Sequence, residues 1–135
     1  MNKTRILDAS AVLAYLQQEK GQERVEAAFD EGPCRMTTLN ICEVLGKLCE
    51  KGMPLADAQA AFQDLGVIAV DFDEELAGLA ALLRVRTRSI GASLGDRACL
   101  ALAERTARAP DTAVVYTAEH AWGRLRWSFK VAVIR

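Results

Sequence analysis

"ILDASAVLAYL", Ile6 to Leu16, is the stretch on which the fold turns. An apolar pair runs straight into Asp8, and an apolar run with helical spacing starts immediately behind it. A carboxylate at the handover from a buried strand to a helix admits two readings. Asp8 or Ser10 caps the free N–H groups of the helix that follows. Alternatively, the acid is presented at the edge of a sheet to do chemistry. The stretch itself leaves both open, and the surrounding sequence has to separate them.

Outward from this stretch the same alternation repeats. Periodicity predicts a strand at 4–7, helices at 10–18 and 22–31, a strand at 34–39 ("CRMTTL") and a helix at 40–51. Pro54 opens a further helix to 65, and "GVIAVDF" (66–72) reads as a short buried strand. A helix at 74–87, a loop at 89–95 ("SIGASLG") and a helix at 94–107 follow. "TAVVYTA" (112–118) reads as a buried strand, 119–125 as a short helix, and "FKVAVI" (129–134) as the last strand. Strands alternating with helices indicate an α/β domain around a mostly parallel sheet.

A chain of 135 residues suits one core. With 51% apolar and 26% charged residues, it reads as folded rather than disordered. A net charge of −1 argues against a protein that coats nucleic acid nonspecifically, but leaves room for a local basic groove. "MNKTRILD" lacks the apolar core of a signal peptide, and no apolar run approaches membrane-spanning length, so a cytoplasmic protein is expected. Cys34, Cys42, Cys49 and Cys99 show no metal-ligand spacing and read as buried free thiols.

In a parallel sheet, ligands bind beyond the carboxyl ends of the strands, where helices begin. Asp8 follows the first strand and belongs to that edge. Glu43, read here as lying in the first turn of the helix after the second strand, belongs there too. Glu119 follows "TAVVYTA" in the same way. Asp96 opens a helix that runs back antiparallel to the strands, so its first turn returns to the same rim. Each acid also has a plainer reading. Asn40–Glu43 and Ser93–Asp96 both have the spacing of a capping box. Asp71, Asp73, Glu74 and Glu75 look like a solvated helix start matched to its dipole. A first-turn acid can cap and face a metal at once.

Four segments taken together, "ILDASAVLAYL", "TTLNICEVLGKL", "SLGDRACLALA" and "VVYTAEHAW", resemble the four acidic motifs of the PIN domain, in order and spacing. Within that family the resemblance is to the VapC-type toxins of bacterial type II toxin–antitoxin pairs. It spans essentially the whole chain, and "SLGDRACLALA" is its most specific piece. The resemblance implies one PIN domain over 1–135, with a central parallel sheet flanked by helices on both faces and the third strand at the margin. It implies a metal-dependent endoribonuclease with Asp8, Glu43 and Asp96 as the acidic triad and Glu119 assisting. It also implies a small antitoxin whose C-terminal segment covers the site, and a homodimer. One motif departs from the family. Where the family usually reads Thr-Ala-Asp-Arg, this chain has Thr117-Ala118-Glu119-His120, which moves the carboxylate outward by one methylene.

Crowded carboxylates repel one another and raise each other's pKa unless a cation neutralises them. An all-oxygen donor set favours a hard ion, Mg²⁺ or Mn²⁺, over zinc or copper. Such an ion polarises a phosphoryl oxygen and helps deprotonate an attacking water, so no histidine base is needed. His120, the only histidine, reads as an exposed neighbour of Glu119. Ser10 and Thr117 are expected either to hydrogen-bond the acids or the phosphate, or to cap backbone. For holding RNA phosphates, "RVRTRS" gathers Arg84, Arg86 and Arg88, and Arg97 adjoins Asp96. The plainer reading of the cluster is dipole-matched cations at a helix C-terminus. Trp122 and Trp127 read as core or dimer-interface residues rather than base-stacking platforms. The expected partners are an RNA substrate, an antitoxin and a second copy, with no membrane. Two other functions stay open here. One is a PIN-like binding module without activity, which the altered fourth motif allows. The other is a phosphoryl-transfer domain with Asp8 as nucleophile, whose second Asp would fall at Ser10.

Overall fold

The computed structural model describes residues 3–107 and 112–135. Residues 1–2 and 108–111, part of the expected 1–135 domain, lie outside the described residues. The chain runs β1 (Lys3–Leu7), α1 (Ala9–Leu16), α2 (Gln22–Glu31), β2 (Cys34–Thr37), α3 (Thr38–Glu50), α4 (Leu55–Gln63), β3 (Ile68–Val70), α5 (Glu74–Arg86), α6 (Leu94–Ala107), β4 (Thr112–Thr117) and β5 (Lys130–Val133). Short 3-10 turns cover Arg88–Ile90 and His120–Arg124, the second in place of the expected helix at 119–125. Every strand pair is parallel, in the order β3-β2-β1-β4-β5.

The chain therefore starts in the middle of its sheet. It builds outward to β3 on one side, then returns to add β4 and β5 on the other. The reversal falls between β1 and β4, which opens a crevice beyond their carboxyl ends. Side chains alternate across the sheet and give it two apolar faces. Ile6, Ala113 and Val115 pack with Leu76 and Leu83 of α5 and Leu100 of α6. Leu7, Cys34 and Met36 pack with Val12 of α1, Val44 and Leu48 of α3, and Phe62 of α4. Helices thus flank both faces. Helix α6 is buried without a break from Ala98 to Ala103, and this holds its N-terminus firmly at the crevice.

Local chemistry moves several expected boundaries. Thr37 caps α3 by accepting the Asn40 N–H at 3.1 Å, so the helix starts at Thr38 instead of Asn40. That shift puts Glu43 in the second turn and removes the expected Asn40–Glu43 capping box. β3 is shorter than the apolar run around it and pairs only with β2. It is a margin strand with Ile68 44% exposed, not a buried one. Cys34 and Cys99 are buried, but Cys42 and Cys49 are exposed, because Val44 and Leu48 form the inward side of α3. Trp122 is buried, and Trp127 packs against the same core, donating its indole N–H to the Trp122 carbonyl at 2.8 Å. Among the described residues, no helix is long and apolar enough to cross a membrane.

A candidate acidic site at the switch point of the sheet

Asp8 is the single residue between β1 and α1. In extended conformation it caps α1, its Oδ1 accepting the Ala11 N–H at 2.9 Å. The same oxygen accepts the Ser10 hydroxyl at 2.7 Å, and Oδ2 accepts the Thr117 hydroxyl at 2.6 Å from the end of β4. Each hydroxyl is held in turn by backbone: Ser10 Oγ accepts the Ala118 N–H, and Thr117 Oγ1 accepts the Glu119 N–H, both at 2.9 Å. Ser10 and Thr117 therefore each bond Asp8 and accept a backbone N–H at once. Asp8 is only 3% exposed. Burial raises its pKa to about 6, against the lowering by Thr117, Ser10 and Ala11, and the nearby Asp96 charge adds to the rise.

Asp96 sits in the first turn of α6, in a reciprocal capping box. Its N–H donates to Ser93 Oγ at 3.1 Å, and its carboxylate accepts the Ser93 N–H at 3.0 Å. Glu43 reaches the same place from α3, and its carboxylate lies directly against Gly95, where any Cβ would collide with it. That contact gives a physical reason for glycine in "SLGD". Asn40, one turn before Glu43, donates to Glu43 Oε1 and to the Gly95 carbonyl, both at 2.9 Å. Glu119 is exposed at the rim, and its side chain makes no capping bond to the 3-10 turn that follows.

All four carboxylates line one cleft of about 220 Å³, together with Ser10, Asn40 and Lys47. Cys99, one turn beyond Asp96, is fully buried; burial first, and then the charges of Asp8, Asp96 and Glu43, hold its pKa well above the ordinary thiol value. It stays a neutral thiol and offers no nucleophile.

None of the expected arginines lines this cleft. Arg86 turns away to pair with Glu104 at 2.7 Å and to cover the Trp127 ring at 4.5 Å. Arg97 donates to the Ala80 carbonyl of α5 at 3.1 Å. Arg84 and Arg88 are exposed on and just beyond α5. The three stand close in sequence, but Arg84 and Arg86, two apart on α5, do not share a face, and Arg88 lies beyond the end of that helix. The cation that does line the cleft is Lys47, and the sequence offered a signal for it: it stands four residues after Glu43. His120 is exposed and does not line the cleft. Asp73 caps α5 by accepting the Leu76 N–H at 2.9 Å, and Arg105 pairs with Asp73 and Glu75. Those acids form a helix start beside the marginal β3.

The model of the PIN domain family matches residues 5–126. The chain belongs to the PIN domain family. A search by sequence among curated proteins finds no match. Among solved structures, DNA-bound VapBC from Salmonella typhimurium is similar at 12% identity and a TM-score of 0.70, covering 97% of this chain and 98% of that one. A toxin–antitoxin complex from Klebsiella pneumoniae gives 13% identity and a TM-score of 0.61, with coverage of 86% and 88%. FitAcB from Neisseria gonorrhoeae gives 18% and 0.62, with coverage of 95% and 96%. At these identities the likeness speaks to the fold of the PIN domain over nearly its full length.

The donor chemistry of this PIN domain suits a hard cation. Its cleft offers carboxylate oxygens and hydroxyl-supported Asp8, with no imidazole and no ionised thiol. Among the described residues, no group of three or more His, Cys, Asp or Glu side chains is drawn together as a ready-made metal cage. The four acids face a shared cleft rather than a common point.

Proposed function

We propose that this PIN domain is a metal-dependent endoribonuclease and the toxin of a VapC-type toxin–antitoxin pair. The observation that carries the reading is the lining of one cleft by acids from four separate motifs, with Asp8 buried at its floor. Asp8, Glu43 and Asp96 would hold Mg²⁺ or Mn²⁺, with Glu119 assisting from the rim. When bound, the ion supplies positive charge to a phosphoryl oxygen and eases ionisation of the attacking water. The protein's own groups do the rest. Ser10 and Thr117 fix Asp8 from both oxygens, at 2.7 and 2.6 Å, and favour its ionised form. Lys47 takes the role first given to the arginines, a point charge for an RNA phosphate entering the cleft. Exposed Glu119 tunes the site without being essential to it.

The partners follow from the same reading: an RNA substrate, a cognate antitoxin covering the acidic cleft, and a second copy of the chain, all in the cytoplasm. The similarity in fold to the toxin–antitoxin complex from Klebsiella pneumoniae supports it. The rival phosphoryl-transfer reading lacks its second acid, since Ser10 occupies that place and donates to Asp8. The test is cleavage of structured and single-stranded RNA by the purified protein in Mn²⁺ and in EDTA. Cutting in Mn²⁺ that EDTA abolishes is expected. RNA binding with no cutting in either would favour the inactive binding module.

A further inference from the structure

Asn40 is 1% exposed, yet it carries four hydrogen-bonding positions into the space between two acidic motifs. Its Oδ1 accepts the Thr37 hydroxyl at 2.5 Å. Its Nδ2 spends both hydrogens, one on Glu43 Oε1 and one on the Gly95 carbonyl, each at 2.9 Å. The orientation of the amide is therefore fixed by its neighbours. Turned over, its oxygen would face a carboxylate and a carbonyl with no proton between them. Thr37, which holds the amide, also caps α3 through the Asn40 N–H at 3.1 Å. A single side chain thus ties the end of β2 and the start of α3 to the residue preceding Asp96.

We propose that Asn40 is a positioning residue: its amide locks the Glu43 carboxylate and the Gly95–Asp96 backbone into one arrangement, so that two acids from different elements present to the same cation. This rests on the metal-dependent reading above and adds to it a residue that holds no metal itself, because its oxygen is committed to Thr37. Glu43 is gripped from two sides, by the Asn40 amide and by contact with Gly95. Without the amide, Glu43 is free to leave the cleft, and the Gly95 carbonyl loses the Asn40 donor.

The experiment is calorimetric titration of Mn²⁺ into the full chain, for the parent, Asn40→Leu, Asn40→Ser, Glu43→Gln and the double variant Asn40→Leu/Glu43→Gln. Melting curves confirm that each protein is folded. Asn40→Ser is included because it leaves room for water should the leucine variant fold badly. Either Asn40 substitution is expected to weaken Mn²⁺ binding by about 10–100-fold, as loss of a ligand-orienting partner does. In the Glu43→Gln background the same substitution should cost several-fold less than in the parent, since one of the two groups it acts through is already impaired. Parent-like affinity in both Asn40 variants would overturn the proposal, and so would an undiminished loss in the Glu43→Gln background. A parent protein that binds no Mn²⁺ would remove the metal reading itself and this role with it, an outcome distinct from either.

Discussion

Asp8 is a buried carboxyl whose pKa has moved from 3.8 to about 6. The folded chain therefore holds this proton more tightly than the unfolded chain does. The associated stability is full below about pH 4, declines as the pH rises through about 6, and is lost above it. In EDTA, the melting temperature should fall between pH 5 and pH 7, and Asp8→Asn should flatten that part of the profile. The shift corresponds to about 3 kcal/mol. After allowing for the lost acceptor of the Thr117 hydroxyl, Asp8→Asn should stabilise the metal-free protein at pH 8 by about 1–2 kcal/mol, read by urea unfolding. Glu119 is predicted to behave differently, because it is exposed and held by nothing on its side chain. Glu119→Asp should keep or raise cleavage, and Glu119→Gln should lower it by about tenfold, within the range of supporting residues. A loss for Glu119→Gln equal to that for Asp8→Asn would make it a core ligand.

Helices decide which charges meet the cleft. Lys47 rides on α3 one turn beyond Glu43, whereas Arg86 of α5 is committed to Glu104 and Trp127 and does not line the cleft. Lys47→Ala should therefore raise the KM for RNA by about tenfold and reduce the salt dependence of binding. Alanine at both Arg84 and Arg88 should change RNA affinity less than twofold. The reverse ranking, from filter binding at two salt concentrations, would return RNA contact to α5. The sequence carried the start of α6 to the residue, because Ser93 and Asp96 write a complete capping box in four letters. It misplaced the start of α3, because "TTL" has strand propensity and only the tertiary setting shows Thr37 capping the helix. It overrated β3 for a related reason: a continuous apolar run looks the same on a margin strand as in the centre. The arginines, close together along the chain, lie outside the cleft because adjacency along a chain is not adjacency in the fold.

For the whole molecule, the parallel sheet with its reversal between β1 and β4 explains why residues 8, 43, 96 and 119 share one cleft. The rule that acids after parallel strands meet at one rim was readable from the order of elements. The Asn40 bridge and the Glu43–Gly95 contact were not, since they depend on how α3 and α6 pack. The proposed metal site exists only in the folded state, so on that reading Mg²⁺ or Mn²⁺ should stabilise the protein by mass action. At about 100 times the dissociation constant the gain is about 2.7 kcal/mol, visible as a melting shift against Na⁺-matched controls. No shift at millimolar metal would count against the site.

The most direct test of the account compares RNA cleavage by the parent protein, Asp8→Asn and Asp96→Asn at matched Mg²⁺, with circular dichroism confirming an unchanged fold. Asn keeps the shape of each side chain and removes its charge. Both variants are predicted to stay folded and to lose more than about 100-fold in rate, beyond what a supporting residue costs. Folded variants that cut RNA as fast as the parent would contradict the account.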